Sequence, residues 1–256
     1  PLTPMKPAKQ YAERIKPEDA GLPTIPSIPM GYDQAAEILK RMKGDEVPQS
    51  WQGALPFRYH LGGDELEVTI DVKADFKIRE IWDVMGILEG KKNPDQWVIV
   101  GCHRDAWVFG SQDPHSGNSV ILESVRAISE AAKEAGGLNR SIVVCSWDAE
   151  EFGVIGSIEW VEEMQDELKE KAVVYMNADA MVSGNRFGAS ALPTLRPAYD
   201  QILKQITNVD GTSYFRAWKL QRLDARAKLE SYSFGTMGGG GSDHTGFVHH
   251  VGIQCI

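Results

Sequence analysis

Apolar and polar residues change rhythm twice along this chain. Residues 1 to about 30 carry prolines at positions 1, 4, 7, 17, 23, 26 and 29. That density predicts an extended connector, because proline lacks the N–H a helix interior needs. From Tyr32 to Met42 the apolar residues Ala35, Ala36, Ile38, Leu39 and Met42 recur at helical spacing, and Gly44 is a plausible stop. Leu66 to Phe76 alternates apolar and polar side chains, as a half-buried strand does. Lys77 to Leu88 reads as another strand, and KKNPD (91–95) as a turn. Thereafter strands alternate with helices. Three short apolar runs, WVIVGC (97–102), SIVVCSW (141–147) and AVVYM (172–176), have the continuous apolar character of strands covered on both faces. Helices are predicted over 116–135, with Ile121, Val125, Ile128 and Ala132 on one stripe, and across Val161, Met164 and Leu168. Thr194 to Ile206 also reads as helical. Residues 208–230 are polar and mixed and read as surface, and a short helix and a last strand (251–256) follow a four-glycine loop.

This alternation predicts an α/β fold, with a mixed, mainly parallel sheet flanked by helices. Residues 1–77 read as a separate element ahead of a core spanning 78–256.

Composition narrows the function. With 256 residues and 42% hydrophobic content, the chain can bury a substantial core. A net charge of −9 without a basic cluster argues against nucleic-acid binding. No apolar run approaches the roughly 20 residues needed to span a bilayer. The chain opens without Met and reads as a piece of a longer protein. Cys102, Cys145 and Cys255 all lie in strand-like runs and are expected to be buried thiols. Asn139-Arg140-Ser141 is a sequon that would accept a glycan in a secretory compartment.

The chemistry gathers where the apolar runs end. His103 and Asp105 follow the first, Asp113 lies in the loop beyond, Glu150 and Glu151 follow the second, and Asp179 follows the third. In open α/β sheets, loops at the carboxyl ends of strands converge on one crevice. Carboxylates and an imidazole gathered there repel each other unless cations sit between them. A carboxylate such as Asp105 could take the second ring N–H of a metal-bound His103. Asp113 could bridge two cations. Of the adjacent pair Glu150-Glu151, one could bind metal while the other serves as general base. Each feature has an ordinary explanation alone: a glutamate pair at a helix start, an Asn-x-Asp turn, a hydrogen-bonded histidine. Their recurrence at successive strand ends is what points to a site.

The stretches VIVGCHRDAWVFGSQDPHSG, SIVVCSWDAEEFGVIGSIEWVEE and YMNADAMVSGN, together with PLTP, GLPTIPSIPMGY and GIQCI, resemble the M28 zinc peptidases of the glutamate carboxypeptidase II type. The resemblance covers essentially the whole chain. It implies a zinc-exopeptidase architecture of the phosphorylase/hydrolase-like kind and hydrolysis of terminal peptide bonds. It implies that His103 and Asp179 bind one zinc, Asp113 bridges, Glu151 binds a second zinc, Glu150 is the general base and acid, and Asp105 orients His103. It also implies a calcium site made by Thr3, Glu159 and Glu162. Residues 1–77 would be the tail of an apical, protease-associated domain. The family's last zinc ligand, a histidine, falls beyond the position of Ile256, so the second zinc shell is incomplete within this stretch. His244 is expected to line a loop or the core. Where the glutamate-selective enzymes carry an arginine, this chain has Ala189, so the resemblance does not carry a glutamate preference. By resemblance the full-length protein would be a homodimer through a domain outside this stretch. It would face the extracellular or luminal side of a membrane, or a vacuole. The alternatives are a non-catalytic receptor on the same fold, or a metal-dependent aminopeptidase or amidohydrolase.

Overall fold

The computed structural model describes residues 15–19, 21, 23–62, 66–73, 75, 77, 79–182, 187–225, 237 and 239–256. They fall into two compact units, 15–79 and 80–256. In the smaller unit, helix α1 (Tyr32–Leu39) precedes strands β1 (Lys43–Glu46) and β2 (His60–Gly62), which pair antiparallel. Gly44, at φ +90°, turns the chain into this ladder in a conformation that favours glycine. The alternating segment 66–73 does not form the predicted strand. It pairs with no strand among the described residues, and Val68, Ile70 and Val72 stay about half exposed. Alternation marks a face that can be buried; a ladder also needs a second strand.

The larger unit is built on strands β3 (Val84–Leu88), β4 (Gly90–His103), β5 (Leu138–Trp147) and β6 (Ala172–Asn177). Between them lie helices α2 (His115–Glu134), α3 (Ile155–Glu163) and α4 (Gln165–Lys171), and after them α5 (Arg196–Gln205), α6 (Tyr214–Ala225) and α7 (His244–His249). The sheet order is β3-β5-β4-β6. β4 runs parallel to both β5 and β6, while β3 lies antiparallel on β5, so the sheet is mixed and mainly parallel as predicted. Only the second half of the predicted 77–88 strand is strand. The predicted KKNPD turn is instead the irregular start of β4, where the register slips twice and the Pro94 carbonyl accepts from Ser141 Oγ at 2.7 Å. Beyond β6, Cys255 bridges Tyr175 in parallel.

Both faces of the sheet are covered at its centre. On one, Trp147, Tyr175 and Phe247 are sealed from solvent, with Tyr175 and Phe247 stacked at 3.8 Å between ring centres. On the other, Cys102 packs with Ile121 of α2 and with Ala178. All three cysteines are buried free thiols. The segment read as polar surface, 208–230, contains α6, and Trp218 on that helix is only 2% exposed in a cluster with Ala191 and Leu203. A single large aromatic anchored a helix that average polarity concealed. No helix among the described residues is long and apolar enough to cross a membrane.

Candidate metal centre

Parallel register carries the candidate residues to one edge of the sheet. His103 ends β4 opposite Trp147 at the end of β5, and Gly101 pairs with Asn177 at the end of β6. Each chain therefore leaves the sheet at the same level. His103 is buried, and its Nε2 lies 3.1 Å from Asp113 Oδ1, 3.1 Å from Asp179 Oδ1 and 4.0 Å from Glu150 Oε2. One ligand atom each from His103, Asp113 and Asp179 lie within 4.8 Å of one another. Asp113 precedes a cis proline, Pro114, that is itself buried. Gly117 in the first turn of α2 permits this gathering. A Cβ there would stand 1.9 Å from the Ala178 carbonyl oxygen and 2.2 Å from that of Asp179.

The ring of His103 is held from its other side. Nδ1 lies 3.0 Å from the main-chain carbonyl of Asp105, with that residue's carboxylate at 3.5 Å. The backbone oxygen is the nearer partner, and the Asp105 side chain that the sequence reading set against this ring stands just beyond it. The carboxylate is committed elsewhere: Oδ1 accepts the Glu150 N–H at 3.0 Å and Oδ2 the Glu151 N–H at 3.2 Å. Asp105 thus ties the glutamate pair to the end of β4. Ala149 in the same turn sits at φ +55°, a left-handed conformation that costs an alanine energy and is kept where surrounding contacts over-determine the backbone.

Charge in the site is unbalanced toward the negative. Burial by itself opposes a charge on His103, but the hydrogen bond and charge of Asp179, joined by Glu150 and Asp243, outweigh it and push the pKa to about 10. The negative potential that draws this proton is equally complementary to a metal cation at Nε2. Burial, reinforced by the charges of Asp179, Glu151 and Asp105, pushes Glu150 up to about 7. Glu151 is raised as well, by desolvation and the nearby Asp113. Of the four expected ligands, three converge within ligand distance of one another; Glu151 is outside that group.

Residues that the sequence reading did not assign stand behind the site. A directional chain of hydrogen bonds leads from the core to Asp179. Trp147 Nε1 donates to Tyr175 Oη at 3.0 Å, and that hydroxyl donates to Asn177 Oδ1 at 3.0 Å. Asn177 Nδ2 donates to Ser242 Oγ at 2.8 Å, and Ser242 donates to Asp179 Oδ2. Asp243, next to Ser242, is fully buried, and burial pushes its pKa up to about 7. The signal was the polar trio Ser242-Asp243-His244 directly after the four-glycine loop. His244 Nε2 contacts the Gly239 carbonyl at 3.0 Å, and burial lowers its pKa. Among the described residues it joins no ligand group.

The sequence model of Peptidase family M28 matches residues 83–256. The chain belongs to peptidase family M28. Over 261 residues it is 36% identical to the probable glutamate carboxypeptidase VP8 of Zea mays, covering 100% of this chain and 36% of that protein. Over 272 residues it is 37% identical to the aminopeptidase NAALADL1 of Rattus norvegicus, covering 100% of this chain and again 36% of the relative. The M28 chain therefore spans about a third of the length of these curated relatives. Among solved structures, a zinc aminopeptidase from Bacillus subtilis aligns at 23% identity with a TM-score of 0.44, over 68% of this chain and 38% of that one.

The donor set of this M28 chain fits zinc: a buried imidazole nitrogen with carboxylate oxygens at the same apex. For the expected calcium site, Glu159 and Glu162 lie one turn apart on α3, and Thr3 lies outside the described residues. Glu162 is buried, with its Oε1 3.2 Å from His250 Nδ1.

Proposed function

We propose that this chain is the catalytic part of a zinc exopeptidase that hydrolyses terminal peptide bonds with activated water. One observation carries the reading: the ligand atoms of His103, Asp113 and Asp179 converge, with Glu150 Oε2 4.0 Å from the same imidazole nitrogen. In this reading His103 and Asp179 would hold one zinc, Asp113 would be shared with a second, and Glu151 would help hold that second ion. Zinc, when bound, supplies Lewis acidity toward the scissile carbonyl and a water. Glu150 takes the proton of the attacking water and returns it to the departing amine. Its raised pKa suits both halves of that exchange near neutrality. Asp105 acts through the backbone of the glutamate pair and is a positioning residue.

Further parts of the reading follow from the resemblance. Thr3, Glu159 and Glu162 would hold calcium, whose preference is for hard oxygen donors. Residues 1–77 would belong to an apical domain, and the full protein would dimerise through a domain beyond this stretch. It would work on the extracellular or luminal side of a membrane, where the exposed Asn139 would carry a glycan.

The test uses the full-length protein. Metal analysis should find zinc, and a peptide library should release end residues from one terminus. Glu150→Ala should reduce turnover by about 100-fold or more while zinc stays bound. Parental rates in that variant would remove Glu150 from its role, and a zinc-free active protein would remove the metal.

A further inference from the structure

Two consecutive residues past the end of β4 grip the turn that carries the glutamate pair. Asp105 accepts the N–H groups of Glu150 and Glu151. Arg104 holds the same turn two residues earlier, at Asp148. Its guanidinium spans three partners. Nη1 donates to the Ser146 carbonyl at 2.9 Å, while Nη2 donates to Asp148 Oδ2 at 3.0 Å and to the Trp82 carbonyl. The Arg104 N–H donates to the Trp147 carbonyl at 2.9 Å, one residue beyond the last register pair of β4 and β5, His103 with Trp147. The ion pair is mostly shielded, with Arg104 31% and Asp148 21% exposed, so water and salt screen it less than an ordinary surface pair.

Every polar group of Asp148 is engaged. Oδ2 also accepts the Trp82 N–H at 3.0 Å, and Oδ1 accepts the Ala149 N–H at 2.9 Å. The Asp148 N–H donates to Asp83 Oδ1 at 2.9 Å, and its carbonyl accepts the Gly156 N–H at 3.0 Å. A Cβ at Gly156 would stand 2.4 Å from both the Asp148 carbonyl oxygen and Asp83 Oδ1. Ala149 therefore lies between two fixed residues. Its φ of +55° is unfavourable for a residue with a Cβ and persists only under contacts that over-determine it. Asp148, held by Arg104, supplies one side; Glu150, held by Asp105, supplies the other. The parallel ladder does not reach this far, since it ends at His103 and Trp147. The 4.0 Å between Glu150 Oε2 and His103 Nε2 is thus set by side chains beyond the sheet.

We propose that Arg104 is a positioning residue for Glu150, acting through Asp148 and the left-handed Ala149. Its contribution runs through the backbone of the turn, because its side-chain hydrogen bonds go to two main-chain carbonyls and to Asp148. The assignment rests on the reading of Glu150 as general base. Lysine is a poor substitute: one ammonium on a flexible stem does not reproduce a planar fork of donors aimed at three acceptors.

The experiment compares the zinc-loaded full-length protein with Arg104→Met, Arg104→Lys, Glu150→Ala and the double variant Arg104→Met/Glu150→Ala. The peptide best cleaved from a mixed library serves as substrate, and thermal melts confirm folding. Arg104→Met should lower kcat about 10- to 100-fold with KM changed by less than about twofold, and Arg104→Lys should recover only a minor part of the loss. In the Glu150→Ala background the same replacement should cost less than about twofold, because the two residues act as a unit. A residue that merely supports the fold would lower the rate by the same factor in both backgrounds. That equal loss overturns the proposal, as does parental kcat in either Arg104 variant.

Hydrogen exchange on the metal-free protein gives a reading independent of catalysis. The Glu150 and Glu151 amides should exchange about tenfold faster in Arg104→Met, while those of Val143 and Cys145 in β5 keep their parental rates. Uniform acceleration, or none at 150 and 151, overturns the assignment. If Arg104→Met does not fold, Asp148→Asn removes one acceptor from the same network and is read by the same two measurements. If the parent cleaves no peptide, the peptidase reading fails, and exchange alone decides whether Arg104 holds the turn.

Discussion

Ser242 donates its hydroxyl proton to Asp179 while accepting one from Asn177, so a loop residue 63 positions away fixes the orientation of a candidate ligand. The chain of donors continues through Tyr175 to the indole of Trp147, both fully buried. A carboxylate whose second oxygen is already hydrogen-bonded presents its first oxygen in one direction, which lowers the entropy lost on metal binding. Removing such outer partners commonly costs about 10- to 100-fold in metal affinity. Ser242→Ala is therefore expected to weaken zinc binding by about tenfold in a chelator competition. Unchanged affinity would show that Asp179 is held well enough without the serine.

Asp105 joins the end of β4 to the turn carrying Glu150 and Glu151, by accepting both of their N–H groups. An asparagine offers one acceptor oxygen where the carboxylate offers two, and its amide N–H₂ would face the second backbone donor. The turn should shift while His103 keeps its main-chain contact. Asp105→Asn is expected to lower kcat about 100-fold, the scale of a displacement near 1 Å, with KM and zinc content little changed. A loss confined to KM would place Asp105 in substrate binding instead.

Asp243 gives a stability signature. Its carboxyl keeps a proton up to about pH 7 in the folded chain, against an ordinary value of 3.8. Between those values the folded state carries a proton that the unfolded state has released. The contribution is present in full below the lower value and is lost as pH rises through the upper one. In the metal-free protein, Asp243→Asn should remove this slope. Relative to the parent, the variant should gain stability between about pH 5 and about pH 8, by at most roughly 3 kcal/mol. Urea midpoints at the two pH values measure the difference. Parallel curves for parent and variant would mean that Asp243 ionises without cost.

Gly117 lets α2 approach the carbonyls of Ala178 and Asp179 more closely than any side chain allows. Gly117→Ala must push the helix or the loop aside. The expected cost is about 1–3 kcal/mol in unfolding free energy, by analogy with overpacked cores. Weaker zinc binding should accompany it, since Asp113 and Asp179 lie on the two displaced segments. A variant that melts with the parent and binds zinc equally would refute the close-packing argument.

Much of the framework was legible along the chain. The three apolar runs became β4, β5 and β6, although Val173 and Met176 of β6 stay exposed. The helix over 116–135 and the short one before Val251 followed from spacing and glycine stops. What failed depended on partners. Residues 66–73 alternate but pair with no strand among the described residues, and α6 turns on the burial of Trp218, which average polarity masked.

The sequence by itself determined which ionisable residues stand at successive strand ends: a histidine, aspartates and a glutamate pair. Tertiary structure alone decided how each is held. Both the backbone carbonyl and the carboxylate of Asp105 approach His103, the carbonyl the more closely. Ser242 and Asp243 reach the site from more than 60 residues downstream of Asp179. The reason is physical. Residue type and strand position are properties of the local chain, whereas a hydrogen-bond partner or a cavity wall exists only after distant segments have packed together.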